Sequence, residues 1–264
     1  MELLDGPECR DVAVDTAALA RGEQGFVHSY TTGSAVDGPG LRMVVWTTGC
    51  QMRCRYCHNP DTWHLKGGRL LSASELVGEV LRYRRFLAAT GGGLTVSGGE
   101  PLVQAPFVSR VLRDCHAQGI HTALDTNGAL GERLSDADLA AIDLVLLDIK
   151  AGRPATHQQV TGTPIEPVLA FARRLAALGR RFWVRFVLVP GLTDAPEELD
   201  ALAELVRPLA GVERVEVLPF HQMGEFKWRR LGLDYPLRST PAAEAQQVAW
   251  AAARLREHGV AVVG

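Results

Sequence analysis

Leu144-Val145-Leu146-Leu147-Asp148-Ile149-Lys150 is an apolar run that ends in a carboxylate and an ammonium. A stretch so short and so uniformly apolar suits a strand buried on both faces of a parallel sheet. Comparable runs surround it at residues 41–48, 93–97, 121–125, 182–189 and 214–218. Amphipathic stretches lie between them, and these predict helices over residues 72–89, 106–118, 135–141, 165–177, 196–207 and 241–258. Ser72 with Glu75 makes a capping-box pattern, while Pro106, Pro196 and Pro241 suit a first helical position. Gly119, Gly179 and Gly259 stand where helices should stop.

Six strand–helix repeats in succession imply an α/β fold built on a parallel sheet. The order of elements alone does not separate a barrel from a doubly wound sheet. The polar residues do favour one. Ser97-Gly98-Gly99-Glu100, Asp125-Thr126-Asn127-Gly128, Asp148-Ile149-Lys150, Pro190-Gly191 and Pro219-Phe220-His221 each close a strand at its C-terminal end. In a barrel those ends share one mouth, where such folds place their chemistry. The expected architecture is therefore a partial (β/α)6 TIM-like barrel over residues 25–264, preceded by a tail over residues 1–24.

Composition bounds the function. Of 264 residues, 47% are apolar and 22% charged, an ordinary globular mixture, and the formal net charge of −2 gives no electrostatic case for nucleic acid. The longest apolar stretches, such as Phe182 to Pro190, are too short to cross a bilayer. Residues 1–24 carry no positively charged start followed by an apolar run, so no signal peptide is expected and the cytoplasm is the expected compartment. Five cysteines, three of them within eight residues, fit a reducing compartment and a metal or catalytic use better than a disulfide framework. Cys9 in the tail and Cys115 on the apolar face of an expected helix read as bystanders.

The three clustered cysteines form Cys50-x3-Cys54-x2-Cys57, directly after the first strand of the repeat. Thiolate is the ligand that iron–sulfur clusters require, and three thiolates hold three corners of a cubane. A missing fourth leaves one iron open to a small molecule. Zinc is the rival, since it also takes thiolates, but structural zinc asks for four closed ligands and no second cysteine pair is present.

Cys50-x3-Cys54-x-aromatic-Cys57, with Tyr56 in the aromatic place, resembles the signature of the radical S-adenosylmethionine (SAM) superfamily. The longer run Cys54-Arg55-Tyr56-Cys57-His58-Asn59-Pro60-Asp61-Thr62-Trp63 and the upstream Asp37-Gly38-Pro39-Gly40 resemble the glycyl-radical-enzyme activases within it. The likeness extends through Gly91-Gly92-Gly93, Ser97-Gly98-Gly99-Glu100, Leu124-Asp125-Thr126-Asn127-Gly128, Leu147-Asp148-Ile149-Lys150, Val189-Pro190-Gly191 and Leu218-Pro219-Phe220-His221, over residues 25–262. Many activases carry extra cysteines for further clusters after this loop. Here the segment from His58 to Gly91 holds none, which narrows the resemblance to the pyruvate formate-lyase type.

The resemblance implies an oxidoreductase with a [4Fe–4S] cluster on Cys50, Cys54 and Cys57, whose open iron receives SAM. It implies that Tyr56 and His58 flank the adenine and the cluster, that Asn59 adds a polar contact, and that Gly98-Gly99-Glu100 receives the SAM amino group. Asp148 and Lys150 match positions that meet the ribose and carboxylate ends of SAM, and Arg185 and His221 match positions near it. Asp125 and Asp148 match aspartates associated with a monovalent cation, and hard oxygen ligands suit such an ion. Asp37 matches a position that meets the incoming peptide, so an open peptide-accepting surface is expected there, at the barrel mouth. The implied partners are a glycyl radical enzyme of the pyruvate formate-lyase type as protein substrate and flavodoxin or ferredoxin as reductant, with no nucleic acid and no membrane.

Plainer readings stand beside these: a tight turn at Gly98-Gly99, a structural ion pair for Asp148 and Lys150, a satisfied core Arg185, a surface His221 and a turn Asp37. The basic runs Arg82-Tyr83-Arg84-Arg85 and Lys227-Trp228-Arg229-Arg230 read first as solvated faces and second as docking sites for an acidic reductant. At the level of function, a radical SAM enzyme acting on a small molecule and a non-enzymatic zinc or electron-carrying domain remain as alternatives.

Overall fold

The computed structural model describes residues 14–263. The chain forms two compact units: Met1–Gln51 with Asp61–Thr126 and Leu130–Leu146, and Met52–Pro60 with Asn127–Ala129 and Leu147–Gly264.

The first unit holds, in chain order, α1 (Thr16–Ala20), β1 (Gln24–Ser34), β2 (Arg42–Thr47), β3 (Arg69–Ser72), α2 (Ala73–Arg82), α3 (Arg84–Ala89), β4 (Gly93–Gly98), α4 (Ala105–Ala117), β5 (His121–Thr126), α5 (Asp136–Ala140) and the start of β6 (Leu144–Asp148). Its strands lie in the order β3-β1-β2-β4-β5-β6. β2, β4 and β5 run parallel, with Arg42 opposite Gly93 and Thr47 opposite Gly98. Met43, Val44, Val45, Leu94, Leu124 and Leu146 are wholly buried, as a doubly covered parallel sheet requires. Cys115 is wholly buried on α4, and burial pushes its thiol up to about 12, so its place is a core position.

The sheet is not purely parallel as expected: β1 pairs antiparallel with both β2 and β3. β1 mixes Thr, Ser and Tyr with apolar residues and is half-exposed toward its end, so it lacks the uniform apolar signature that marks the other strands. Residues 14–24 are also more than a tail. Asp15 caps α1, accepting from the amides of Ala17 and Ala18, and β1 begins at Gln24. Cys9 lies outside the described residues. The helix expected over residues 72–89 is two, because Tyr83 leaves helical geometry (φ −96°, ψ 4°) between α2 and α3, while the Ser72–Glu75 capping box forms as anticipated.

The second unit holds the end of β6, then α6 (Pro154–Thr161), α7 (Glu166–Ala177), β7 (Phe182–Leu188), α8 (Pro196–Val206), β8 (Val212–Pro219), α9 (Glu225–Arg230), α10 (Ala245–Glu257) and β9 (Val262–Val263). Its strands follow the order β6-β7-β8-β9, with β7, β8 and β9 parallel. Phe182, Val184, Phe186, Leu199, Leu202, Val215 and Leu255 pack its core. The expected helix start at Pro241 is corrected to Ala245, behind an N-cap at Glu244. The Ala243 amide donates to the Phe220 carbonyl (2.9 Å), which ties the approach to β8 and delays the helix.

Candidate functional site

In the first unit the C-terminal ends of β2 and β4 are pressed together by two glycines. At Gly98 (φ +135°) a Cβ would stand 2.2 Å from the Thr47 carbonyl oxygen, and at Gly99 a Cβ would stand 2.5 Å from the Gly49 oxygen and 3.0 Å from Cys50 Cβ. Only glycine allows this approach. Gly99 therefore lies directly against the first cysteine. The Cys50 amide donates to the Trp63 carbonyl (3.2 Å) and the Glu100 amide to the Gly49 carbonyl (2.8 Å), which fixes the turn. The Glu100 side chain is wholly buried, and its Oε1 accepts from Thr126 Oγ1 (2.6 Å) and the Leu102 amide (3.0 Å). Its visible work is to hold the turn. Asp125 Oδ2 accepts from Ser97 Oγ (2.7 Å).

Asp37 stands elsewhere than expected. Its carbonyl accepts from Thr95 Oγ1 (2.7 Å), its Oδ2 accepts from Ser34 Oγ (2.5 Å), and Gly40 meets the Gly91–Gly92 backbone ahead of β4. The turn thus sits at the N-terminal end of β2. That is the opposite end from Cys50, about 17 Å away along six extended residues. Beneath the turn lies the guanidinium of Arg42, 0% exposed, donating to Thr95 Oγ1 (2.9 Å), His121 Nδ1 (3.1 Å) and the Leu94 carbonyl. Burial lowers its pKa to about 10, with Asp143 and Asp37 acting in the opposite direction.

The second unit carries the rest of the cysteine loop, Met52–Pro60. No α-helix or strand forms there, a 3-10 turn beginning only at Pro60, and neighbours pin the loop through its backbone. The Arg53 and Arg55 amides, on either side of Cys54, donate to the carbonyls of Thr161 and Val160 at the end of α6 (both 2.9 Å). On the far side, Trp228 Nε1 of α9 donates to the Cys57 carbonyl (2.8 Å) and Lys227 Nζ to Asn59 Oδ1 (2.8 Å). His58 stacks on His221, with ring centroids 4.3 Å apart, and its Nε2 donates to the His221 carbonyl (3.1 Å). Burial holds the His58 pKa below the ordinary value, against that hydrogen bond, so the ring is neutral and carries its proton on Nε2.

Lys150 Nζ bonds Asp148 Oδ2 (2.6 Å) and lies 5.9 Å from the centre of the Tyr56 ring. Burial works against the Lys150 charge, but Asp148, Tyr56 and Cys54 together outweigh it and hold the amine's pKa well above its ordinary value. Arg185 meets Glu216 (3.6 Å), which Arg214 also bonds (2.7 Å). Asp148 and Lys150 thus form an ion pair, and Arg185 finds an anionic neighbour in Glu216.

Cys50, Cys54 and Cys57 form no disulfide, and each is partly accessible. Burial pushes Cys54 up to about 12, opposed by Lys150, so without metal the thiol keeps its proton, and a cation that displaced it would reverse that. Among the described residues no three His, Cys, Asp or Glu side chains converge on a single metal ion. A cubane makes no such demand, because each of its irons takes one thiolate. The donor set fits that group.

Residues 44–206 match the family model of the radical SAM superfamily. The chain belongs to the radical SAM superfamily. Among the curated relatives, the pyruvate formate-lyase-activating enzyme of Staphylococcus epidermidis is 42% identical over 232 residues, 85% of this chain and 92% of that protein. That of Streptococcus mutans is 48% identical over 221 residues, 81% of this chain and 84% of that protein. A solved domain of a pyruvate-formate lyase-activating enzyme from Bacteroides vulgatus shares 25% identity and a TM-score of 0.55, covering 65% of this chain and 98% of that one. A radical SAM methyltransferase from Sphaerobacter thermophilus, at 20% identity and a TM-score of 0.62, shares the fold over 89% of this chain and 72% of its own. The fold is thus the α/β radical SAM fold, with the partial (β/α)6 barrel anticipated from the polar strand ends. Membership brings a [4Fe–4S] cluster and SAM.

Sequence reading missed the braces. Trp228 is buried within a basic run read as solvated, and the α6 carbonyls that hold Arg53 and Arg55 carry no side-chain signature. The lone aromatic between cations was the one available signal.

Proposed function

We propose that this chain is an activase that installs a glycyl radical in an enzyme of the pyruvate formate-lyase type. The observation that carries the proposal is the braced Met52–Pro60 loop. Its backbone is taken up by α6 and α9, while the cysteine side chains stay partly accessible, in a chain 42–48% identical to proteins named as such activases.

A cluster held by Cys50, Cys54 and Cys57 would supply the one electron needed to cleave the SAM sulfonium into methionine and a 5′-deoxyadenosyl radical. The chain's residues bind and orient. Cys50, Cys54 and Cys57 hold three corners of the cluster. The Gly98-Gly99 backbone, which stands against Cys50, receives the SAM amino group. Protonated Lys150, with Asp148, meets its carboxylate and ribose ends, and Arg185 supplies a second cation nearby. Tyr56 and the stacked His58–His221 pair give aromatic surface for the adenine, with Asn59 fixed by Lys227. Asp125 and Asp148 are oxygen ligands for a monovalent cation. Asp37, at the far end of β2 from Cys50, meets the protein substrate away from the reacting atoms.

The reductant is a flavodoxin or ferredoxin, and the compartment is the cytoplasm. Among the described residues no helix is long and apolar enough to cross a membrane.

The test uses a pyruvate formate-lyase deuterated at its glycine α-carbons. With reconstituted holoenzyme, SAM and reductant, deuterium should pass into 5′-deoxyadenosine. Unlabelled 5′-deoxyadenosine formed at the same rate with and without the partner would leave the small-molecule reading in its place.

A further inference from the structure

Helix α9 and the turns beside it expose more apolar surface than any other short stretch of the second unit. Met223 is 75% exposed, Phe226 53%, Leu231 47% and Leu233 37%. Single exposed apolar residues are ordinary, but four within eleven positions are not. Phe226, Arg229 and Arg230 fall at i, i+3 and i+4 and share one face of the helix, with both arginines exposed. Trp228 points the other way and is buried, its indole bonded to the Cys57 carbonyl. The outer face of α9 therefore stands about one helix diameter, ~10 Å, from the backbone of a cysteine ligand.

We propose that this face of α9 is where an acidic one-electron carrier protein of the flavodoxin class docks to reduce the cluster. The proposal rests on the activase reading. One electron leaves the reduced carrier and enters the oxidised cluster, and no proton or atom is transferred. Two features select this occupant. The outer face of α9 carries Arg229 and Arg230, and the helix's one acid, Glu225, is paired with Arg238 (3.4 Å), so in a chain whose net charge is −2 the patch is locally positive and steers an acidic partner. A Met, a Phe and two Leu with an arginine rim are the composition of a protein interface core. Trp228 adds a bonded route from the docked face to Cys57.

The test compares the parent holoenzyme with Arg229→Glu/Arg230→Glu and with Met223→Ser/Phe226→Ser, all surface changes. Cluster reduction is followed by stopped-flow absorbance with a photoreduced acidic flavodoxin and, separately, with dithionite. Binding of the oxidised flavodoxin is measured by calorimetry. The charge-reversed variant should be reduced by flavodoxin about ten-fold more slowly at low salt and bind it more weakly, with the difference shrinking as salt approaches about 0.5 M. The apolar variant should bind more weakly at every salt concentration. Dithionite reduction and dithionite-driven SAM cleavage should be unchanged. Equal flavodoxin rates in all three proteins would overturn the proposal, as would equal slowing by both reductants. Unchanged flavodoxin rates with impaired radical installation would assign the face to the glycyl radical enzyme instead. Absence of SAM cleavage by dithionite in the parent would reject the activase reading, a separate failure.

Discussion

The two ends of β2 are built by opposite means. At its N-terminal end the Asp37–Gly40 turn spends its side chains on itself: Ser34 bonds Asp37, Thr95 bonds the Asp37 carbonyl, and the buried Arg42 locks Thr95, Leu94 and His121 together. After its C-terminal end, the loop that carries Cys54 and Cys57 is held through backbone amides and carbonyls by α6 and α9. Holding a loop by its backbone fixes its path and leaves its side chains for ligands. Holding a turn by its side chains makes a rigid edge with little chemistry of its own. The contrast sets a loop whose side chains are left for ligands against a turn whose side chains are already engaged within the fold.

The sharpest way to break the contrast is at the cysteines. Cys54→Ala should lose cluster iron and bring SAM cleavage to background, whereas Cys115→Ala, at a fully buried core position, should cost about 1 kcal/mol of stability and keep cleavage. Iron content, 5′-deoxyadenosine yield and thermal midpoint check this, and equal loss of cleavage in two folded variants would contradict it. Next in size is Arg42→Met. It strands buried acceptors at Leu94 and His121 and should lower stability by about 3 kcal/mol. Denaturant unfolding reads the loss, and the protein that stays folded should still take up iron in full, since the change lies at the other end of the strand.

A smaller effect separates partner contact from cofactor work. Asp37→Ala should slow radical installation about ten-fold, some 1.4 kcal/mol, while SAM cleavage without partner is kept. A parallel fall in both would place Asp37 in the service of SAM or of folding. Smallest is Trp228→Phe, which keeps an aromatic ring but removes the donor to the Cys57 carbonyl, worth about 1 kcal/mol. Cluster iron should be lost to a chelator about five-fold faster than in the parent, and an unchanged rate would remove α9 as a brace.

Much of this was legible in the sequence because strand ends are punctuated. Apolar runs closing in Ser-Gly-Gly-Glu, Asp-Thr and Asp-Ile-Lys located β4, β5 and β6 to within a residue or two, and the cysteine spacing named its own chemistry. β1 was hidden because its Thr, Ser and Tyr give no uniform apolar run. Trp228 was hidden because an indole bonded to a carbonyl across 171 residues leaves no local pattern. Asp37 was misplaced for another reason. Chain order already set it before the first residue of β2, at the N-terminal end, and the family resemblance drew it to the mouth instead.

The central claim is that this chain moves a hydrogen atom from a protein glycine, and electron paramagnetic resonance tests it most directly. Reconstituted holoenzyme, SAM and photoreduced flavodoxin are incubated anaerobically with a purified pyruvate formate-lyase. The account predicts a persistent glycyl radical doublet whose spin count tracks the 5′-deoxyadenosine formed, and its loss when the partner's radical-site glycine is replaced by alanine. Abundant 5′-deoxyadenosine with no radical on the partner would contradict it.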